Sequence, residues 1–375
     1  MPEVIFGSGS IRQVGESCSR LGAQNVLIVT DPGVIESGWA ELIIKSCREV
    51  GLSYSVFSEL TTNPKDYEVE VGVQQYLAAE CDAIVGVGGG SAIDVAKAIA
   101  IIATNGGKIR DYEGVDKIKL PLPPQVMVAT TAGSGSEVSQ FSIILDSQYQ
   151  KKLTIISKSL VPDIAIVDPE TLVTKDALLT ATTGLDVLTH GIESYVSIAA
   201  TPLTDVHAEN TIFLVAKYLR QSVGSKMQQE AKEKMAMASV QAGLAFSNAI
   251  LGAVHAMSHA IGGQFLLPHG DVNAILLPYV MEFNYIAAPE KFGRIATLLG
   301  GEELPKPIAH PGEAAVHLVR QLASDIGAPQ RLSELNLSEK DATKISSHAI
   351  EDACMITNPR DITKKDVERL FNQSL

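Results

Sequence analysis

The first 170 residues alternate short apolar, β-branched runs with stretches of helical periodicity. NVLIVTD (25–31) is an unbroken apolar run ending on a carboxylate, which predicts a buried strand. WAELIIKSCREVG (39–51) has the spacing of an amphipathic helix closed by Gly51, and SYSVFS (53–58) predicts the next strand. TTNP (61–64) is a turn, with Asn63-Pro64 leading into a helix through YEVEVGVQQYLAAE. CDAIVGVGGGSAIDVAKAIAIIA (81–103) predicts strand, glycine turn and helix, and QVMVATTAGSGSEVSQ (125–140) repeats strand and small-residue turn. FSIIL (141–145), KLTIIS (152–157) and DIAIVD (163–168) are further strands. This alternation predicts an α/β unit whose parallel sheet is covered on both faces.

After DPETLVTKDA (168–177) the pattern changes: nearly every segment to the end has helical period, and none reads convincingly as a strand. Two domains are therefore expected: an α/β nucleotide-binding domain over 1–175 and a helical domain over 176–375. All eight histidines fall in the second.

Composition narrows the function. A net charge of −13 and a pI near 5.1 argue against nucleic acid or an anionic membrane as partner. Cys18, Cys47, Cys81 and Cys354 are dispersed without a CxxC pair, which fits a reducing compartment. MPEVIFGSGSIRQ lacks the basic and apolar regions of a signal peptide. The apolar stretch ILGAVHAMSHAIGGQFLLPHG is broken by histidines, Gly-Gly and Pro, so no membrane span is expected. A cytoplasmic protein is the expectation.

The chemistry concentrates between Asp186 and His269. Asp186 and His190 stand four apart on a helical pattern, and His255 and His259 repeat that spacing. His269 lies between Pro268 and Gly270, so a turn is expected to aim it at the same point. One carboxylate with two or three imidazoles suits a divalent first-row metal such as Fe(II) or Zn(II). Spacing leaves open whether His255 or His259 is the ligand. His207, His310, His317 and His348 show no comparable constellation and read as surface or core residues.

Two glycine turns follow strands. In GVGGGSAID (86–94), Gly88, Gly89 and Gly90 allow close approach of a ligand to backbone N–H groups at a helix start. Ser91 adds a hydroxyl or caps the helix. TTAGSGSE (130–137) is similarly placed and offers Thr130, Thr131, Ser134 and Ser136. Two such turns in one α/β unit favour a nucleotide, although the run is not G-x-G-x-x-G. Asp31, at a strand end, suits either a ribose diol or a helix cap.

Together these pieces resemble the iron-containing (group III) alcohol dehydrogenase family over essentially the whole chain. GGGSAIDVAK, TTAGSGSEVS, the Asp186-to-His190 helix, HAMSHAIGG with its following HG, and TNPRDIT carry the resemblance. It implies the dehydroquinate synthase-like architecture, with a metal at the cleft between two domains. It implies Asp186, His190, His255 and His269 as the metal ligands and His259 as a neighbour that does not bind the metal; as a neutral-pH titrator beside it, His259 is the expected proton relay. It also implies contacts to NAD from Asp31, Gly88, Gly89, Gly90, Ser91, Asp94, Thr130, Thr131 and Ser134, with Lys152 near the nicotinamide and catalysis. Asp31 implies NAD over NADP. The implied reaction interconverts a small primary alcohol and its aldehyde by hydride transfer, with Fe(II), Zn(II) or another divalent metal polarising the alcohol oxygen. Gly252, Ala253, Phe246 and Leu266 suggest a small substrate with little charge. Ala129, Ser134 and the DPETLVTKDA segment depart from the family pattern without touching a ligand. A phosphorylated acid is disfavoured, because VHAMSHAIGGQFLLPHG has no basic residue. A homodimer or larger homo-oligomer is expected, with VIF as an edge strand across the interface.

Overall fold

Every other residue along the central strands faces a different core, and this explains the unbroken apolar runs. In the computed structural model, which describes residues 1–301 and 311–375, the chain divides into two units, Met1–Thr174 and Lys175–Leu375. The first holds strands β1 (Glu3–Phe6), β2 (Asn25–Val29), β3 (Ser53–Phe57), β4 (Ala83–Gly88), β5 (Gly114–Val115), β6 (Gln125–Ala129), β7 (Phe141–Asp146), β8 (Lys151–Ile156) and β9 (Ile164–Val167). Val26, Ile28, Val85, Val126 and Val128 pack into one core with Val14, Ile43 and Cys47. Leu27, Val29, Ile84 and Met127 pack into the other with Phe57, Val95 and Ile99. A strand with both faces buried needs no polar alternation.

The six-stranded sheet has the order β1-β9-β6-β4-β2-β3 and is parallel throughout. From β2 the chain runs outward to β3, then returns to β4 on the other side of β2. The carboxyl ends of β2 and β4 thus flank a topological switch point, the usual crevice for ligands in such sheets. β7 and β8 stand outside this sheet. They pair antiparallel in a second, three-stranded sheet of order β5-β8-β7. The reason is the connection Ser147–Gln150, which is long enough for a hairpin and too short for a parallel crossover.

No strand occurs among the described residues of the second unit. Five helices bear on the sites below: α1 (Gly90–Asn105) in the first unit, then α2 (Ala177–Val196), α3 (Gln229–Ala249), α4 (Ala253–Phe265) and α5 (His269–Asn284). Asp176 caps α2 by accepting a hydrogen bond from Leu179 N–H at 2.8 Å. No single helix among the described residues is long and apolar enough to cross a membrane. α3 and α4 pass that test only jointly, and they are bent by 99°. All four cysteines are free and buried. His310 lies outside the described residues.

Candidate metal centre and nucleotide crevice

Helical phase brings the polar cluster of the second unit together. Asp186 and His190 share a face of α2, and His255 and His259 share a face of α4. His269 is the first residue of α5 rather than part of a free turn, because Pro268 starts the helix immediately before it. Donor atoms of Asp186, His255 and His269 lie within 4.8 Å of one another. His190 joins them by stacking on His255, with ring centroids 4.5 Å apart, and Phe246 stacks on His190 at 4.6 Å. Asp186, His190 and His255 are all buried.

Asn273, one turn after His269 on α5, shows where these donors converge. Its Nδ2 donates to Asp186 Oδ1 at 2.6 Å, and lies 3.2 Å from His255 Nε2 and 3.0 Å from His269 Nε2. A single amide nitrogen thus sits among one carboxylate oxygen and two imidazole nitrogens, while Asn273 Oδ1 is enclosed without a hydrogen-bond partner. That is an arrangement a cation satisfies better than an amide does. Charge agrees with the geometry. Burial would raise the Asp186 carboxyl, but His190, His255 and His269 beside it hold it well below the usual range. Burial lowers the His255 imidazole, yet the Asp186 and Glu193 carboxylates beside it outweigh burial and push it up to about 9. The donor set, one buried carboxylate and imidazole nitrogens, fits Fe(II) or Zn(II).

His259 behaves differently from His255. Its Nδ1 lies 2.9 Å from Asp352 Oδ2, while its ring stacks on His269 with centroids 5.4 Å apart. His348 Nδ1 pairs with Gln264 Nε2 at 2.8 Å; His207 is half-buried and His317 exposed. Of the small and apolar neighbours, Phe246 is buried against His190. Leu266 is largely exposed, and Gly252 and Ala253 are enclosed at the start of α4. The sequence reading passed over Asn273, Glu193 and Asp352. For the first two a signal existed: Asn273 follows His269 by four, and Glu193 follows Asp186 by seven.

In the first unit, the glycines of GVGGGS sit where side chains would collide. A Cβ on Gly88, at φ +155°, would stand 2.7 Å from Ala92 Cβ and 3.0 Å from Asp31 Oδ2. One on Gly89 would stand 3.2 Å from Thr131 Oγ1, and one on Gly90 would stand 2.9 Å from Ser134 Cβ. Asp31, Thr131 and Ser134 therefore close around this turn, at the carboxyl ends of β2, β4 and β6. Asp31 also caps the helix Pro32–Glu36, its Oδ1 accepting from Val34 N–H at 3.1 Å. Ser91 is not a cap: Gly89 precedes the first helical residue, and no side chain caps α1. Thr130 is wholly buried, with its Oγ1 lacking a hydrogen-bond partner.

Asp94 is engaged internally. Its Oδ1 accepts from Ser136 Oγ at 2.6 Å and its Oδ2 from Ile143 N–H at 3.1 Å. Burial pushes this carboxyl up to about 6, opposed by Lys97 and Lys152 nearby. Lys97, fully buried, donates to Ser136 O and Ser139 O at 2.7 Å each and to Phe141 O at 2.9 Å. Asp94 and Lys97 thus fasten the second turn to α1.

Comparison with known proteins decides the family. Residues 2–169 match the profile of iron-containing alcohol dehydrogenases, and residues 180–375 match that family's C-terminal region. The chain belongs to the iron-containing alcohol dehydrogenase family. It is an oxidoreductase that interconverts alcohols and aldehydes. It is 39% identical over 374 residues to the NAD-dependent methanol dehydrogenase of Bacillus methanolicus, covering 100% of this chain and 98% of the other. It is 41% identical over 372 residues to the 1,3-propanediol dehydrogenase of Citrobacter freundii, covering 99% and 96%. A crystal structure of a 1,3-propanediol oxidoreductase superposes with a TM-score of 0.96 at 40% identity, over 100% of this chain and 98% of that one.

Proposed function

We propose that this iron-family enzyme interconverts small primary alcohols and aldehydes with NAD(H), holding its metal through Asp186, His190, His255 and His269. The convergence of Asp186 Oδ1, His255 Nε2 and His269 Nε2 on Asn273 Nδ2 carries the reading, since the same three atoms suit one divalent cation. NAD(H) is supported by the turn in which Asp31, Thr131 and Ser134 surround Gly88, Gly89 and Gly90, and by the NAD-dependent relative. When bound, the cation supplies a Lewis acid for the alcohol oxygen and the nicotinamide a hydride acceptor.

The chain's own residues do the rest. Asp186 offsets cationic charge with one buried negative group. Phe246, packed on His190, keeps water from that side of the imidazoles. His259 passes the substrate proton outward, with Asp352 fixing its Nδ1 and leaving Nε2 for the exchange. Asp31 meets the ribose diol, and Lys152, on β8, sets the potential near Asp94 and the nicotinamide. The stretch VHAMSHAIGGQFLLPHG around His255 and His269 has no lysine or arginine to hold a phosphate, which supports a small neutral substrate. The free, buried state of all four cysteines supports a reducing, cytoplasmic setting. A dimer forms through the open edge of β1.

The test is a pair of variants dialysed against chelator and reassayed with metal. His269→Ala is expected to lose metal and turnover together. His259→Ala is expected to keep its metal and lose about 10²–10⁴-fold in kcat, the usual worth of a relay. Full activity of metal-free His269→Ala, or metal loss from His259→Ala with an intact His255→Ala, contradicts the assignment.

A further inference from the structure

Helix α4 has no capping side chain of its own, yet the N–H groups of Gly252, Ala253 and Val254 are satisfied from elsewhere in the unit. Glu193, buried on α2, accepts from Gly252 N–H through Oε2 at 3.1 Å and from Val254 N–H through Oε1 at 2.7 Å. Asn358 Oδ1 accepts from Ala253 N–H at 3.2 Å, and Asn358 and Asn284 exchange amide hydrogen bonds of 2.8 and 2.9 Å. Thr357 Oγ1 donates to Leu251 O at 2.6 Å. The turn these groups hold is strained: Ile250 has φ 60° and ψ −166°, a region that glycine ordinarily occupies. Such a conformation in a β-branched residue persists only where its surroundings over-determine it. A Cβ on Gly252 would stand 2.8 Å from Glu193 Oε1, so the turn and the carboxylate are closely fitted.

The same carboxylate reaches the ring that this turn delivers. Glu193 Oε2 lies 2.6 Å from His255 Nδ1. A carboxylate can only accept, so it holds hydrogen on Nδ1 and, in the neutral ring that binds a metal, leaves the lone pair on Nε2. His255 Nε2 is the atom that faces Asp186 Oδ1 at 3.7 Å and Asn273 Nδ2 at 3.2 Å. We infer that Glu193 is a positioning residue for the metal, fixing the ring orientation and tautomer of His255 while anchoring the strained turn that presents it. The inference rests on His255 being a metal ligand.

Cobalt(II) serves as the probe, because its visible absorption reports ligand geometry and its affinity can be measured by competition with a chelator. In full-length protein, Glu193→Gln is expected to bind cobalt 10–100-fold more weakly than wild type, as loss of such partners generally does. Its cobalt spectrum should change while NADH binding stays as in wild type. A helix anchor alone would alter stability without altering the spectrum. Folded Glu193→Gln with wild-type cobalt affinity and spectrum overturns the proposal. Should that variant fail to fold, Glu193→Asp, which keeps the charge but withdraws it by one methylene, is read the same way. His255→Ala separates the two levels. If it binds cobalt like wild type, the ligand assignment is wrong; if it alone loses cobalt, His255 is a ligand and Glu193 is not its positioner.

Discussion

Single side chains in this protein carry two duties, and the second is the informative one. Asp31 Oδ1 caps a short helix, as a carboxylate at that position often does, while Oδ2 faces the Gly88 turn. A free oxygen there would meet the 2′-phosphate of NADP. Two negative groups about 4 Å apart repel by roughly 1–4 kcal/mol between water and protein-surface dielectrics, several-fold to about a thousandfold in selectivity. Asp31→Gly is therefore expected to raise kcat/KM for NADPH relative to NADH, at some cost in helix capping. Wild type using both cofactors equally would remove this role from Asp31.

At the scale of elements, what periodicity encodes was legible and what pairing decides was not. Strands β2, β4, β6 and β9 and the helical phase of Asp186 with His190 follow from spacing, since local steric repeats set both. The separation of β7 and β8 into an antiparallel hairpin was not read from apolar content, because strand partners are chosen by connection length and tertiary packing. The position of His269 at a helix start rather than on a turn was missed for a similar reason: Pro268 both ends one segment and begins another. Asp352 was invisible because its partner His259 lies 93 residues away, and the spacing of Glu193 on the Asp186 helix could not show that it pairs with His255, 62 residues on. The fastening of the second glycine turn to α1 makes a further prediction. Glu137, buried in that turn with Oε1 unpartnered, has its carboxyl pushed up by burial from 4.5 to about 7. The neutral form is thus favoured on folding, so its contribution to stability is complete below pH 4.5 and is lost as pH rises through 7. Glu137→Gln, which cannot ionise, should gain on wild type by up to about 3 kcal/mol between pH 5 and 8. Chemical denaturation of both proteins at the two pH values measures this, and a pH-independent difference contradicts it.

For the whole molecule, the parallel sheet ends on an open edge at β1. The N–H groups of Glu3 and Gly7 donate to Asp163 O and Val167 O at β9, so the strand's alternation turns the N–H groups of Val4 and Phe6 outward. Pairing of that edge with a second copy gives the dimer proposed above. Val4→Pro removes an outward donor without touching the β9 ladder, and sedimentation should show monomers where wild type sediments as a dimer. An unchanged assembly places the interface elsewhere. The central claim, one metal per chain at the Asp186–His269 cluster driving NAD(H)-linked aldehyde reduction, is tested most directly by titration. Metal-free enzyme receives Fe(II) without oxygen, while bound iron and NADH oxidation with propionaldehyde are followed together. Activity should rise in proportion to bound iron and level off at one equivalent per chain, with neither uptake nor activity in Asp186→Ala. Full turnover before any iron is bound, or tight stoichiometric uptake by Asp186→Ala, would contradict it.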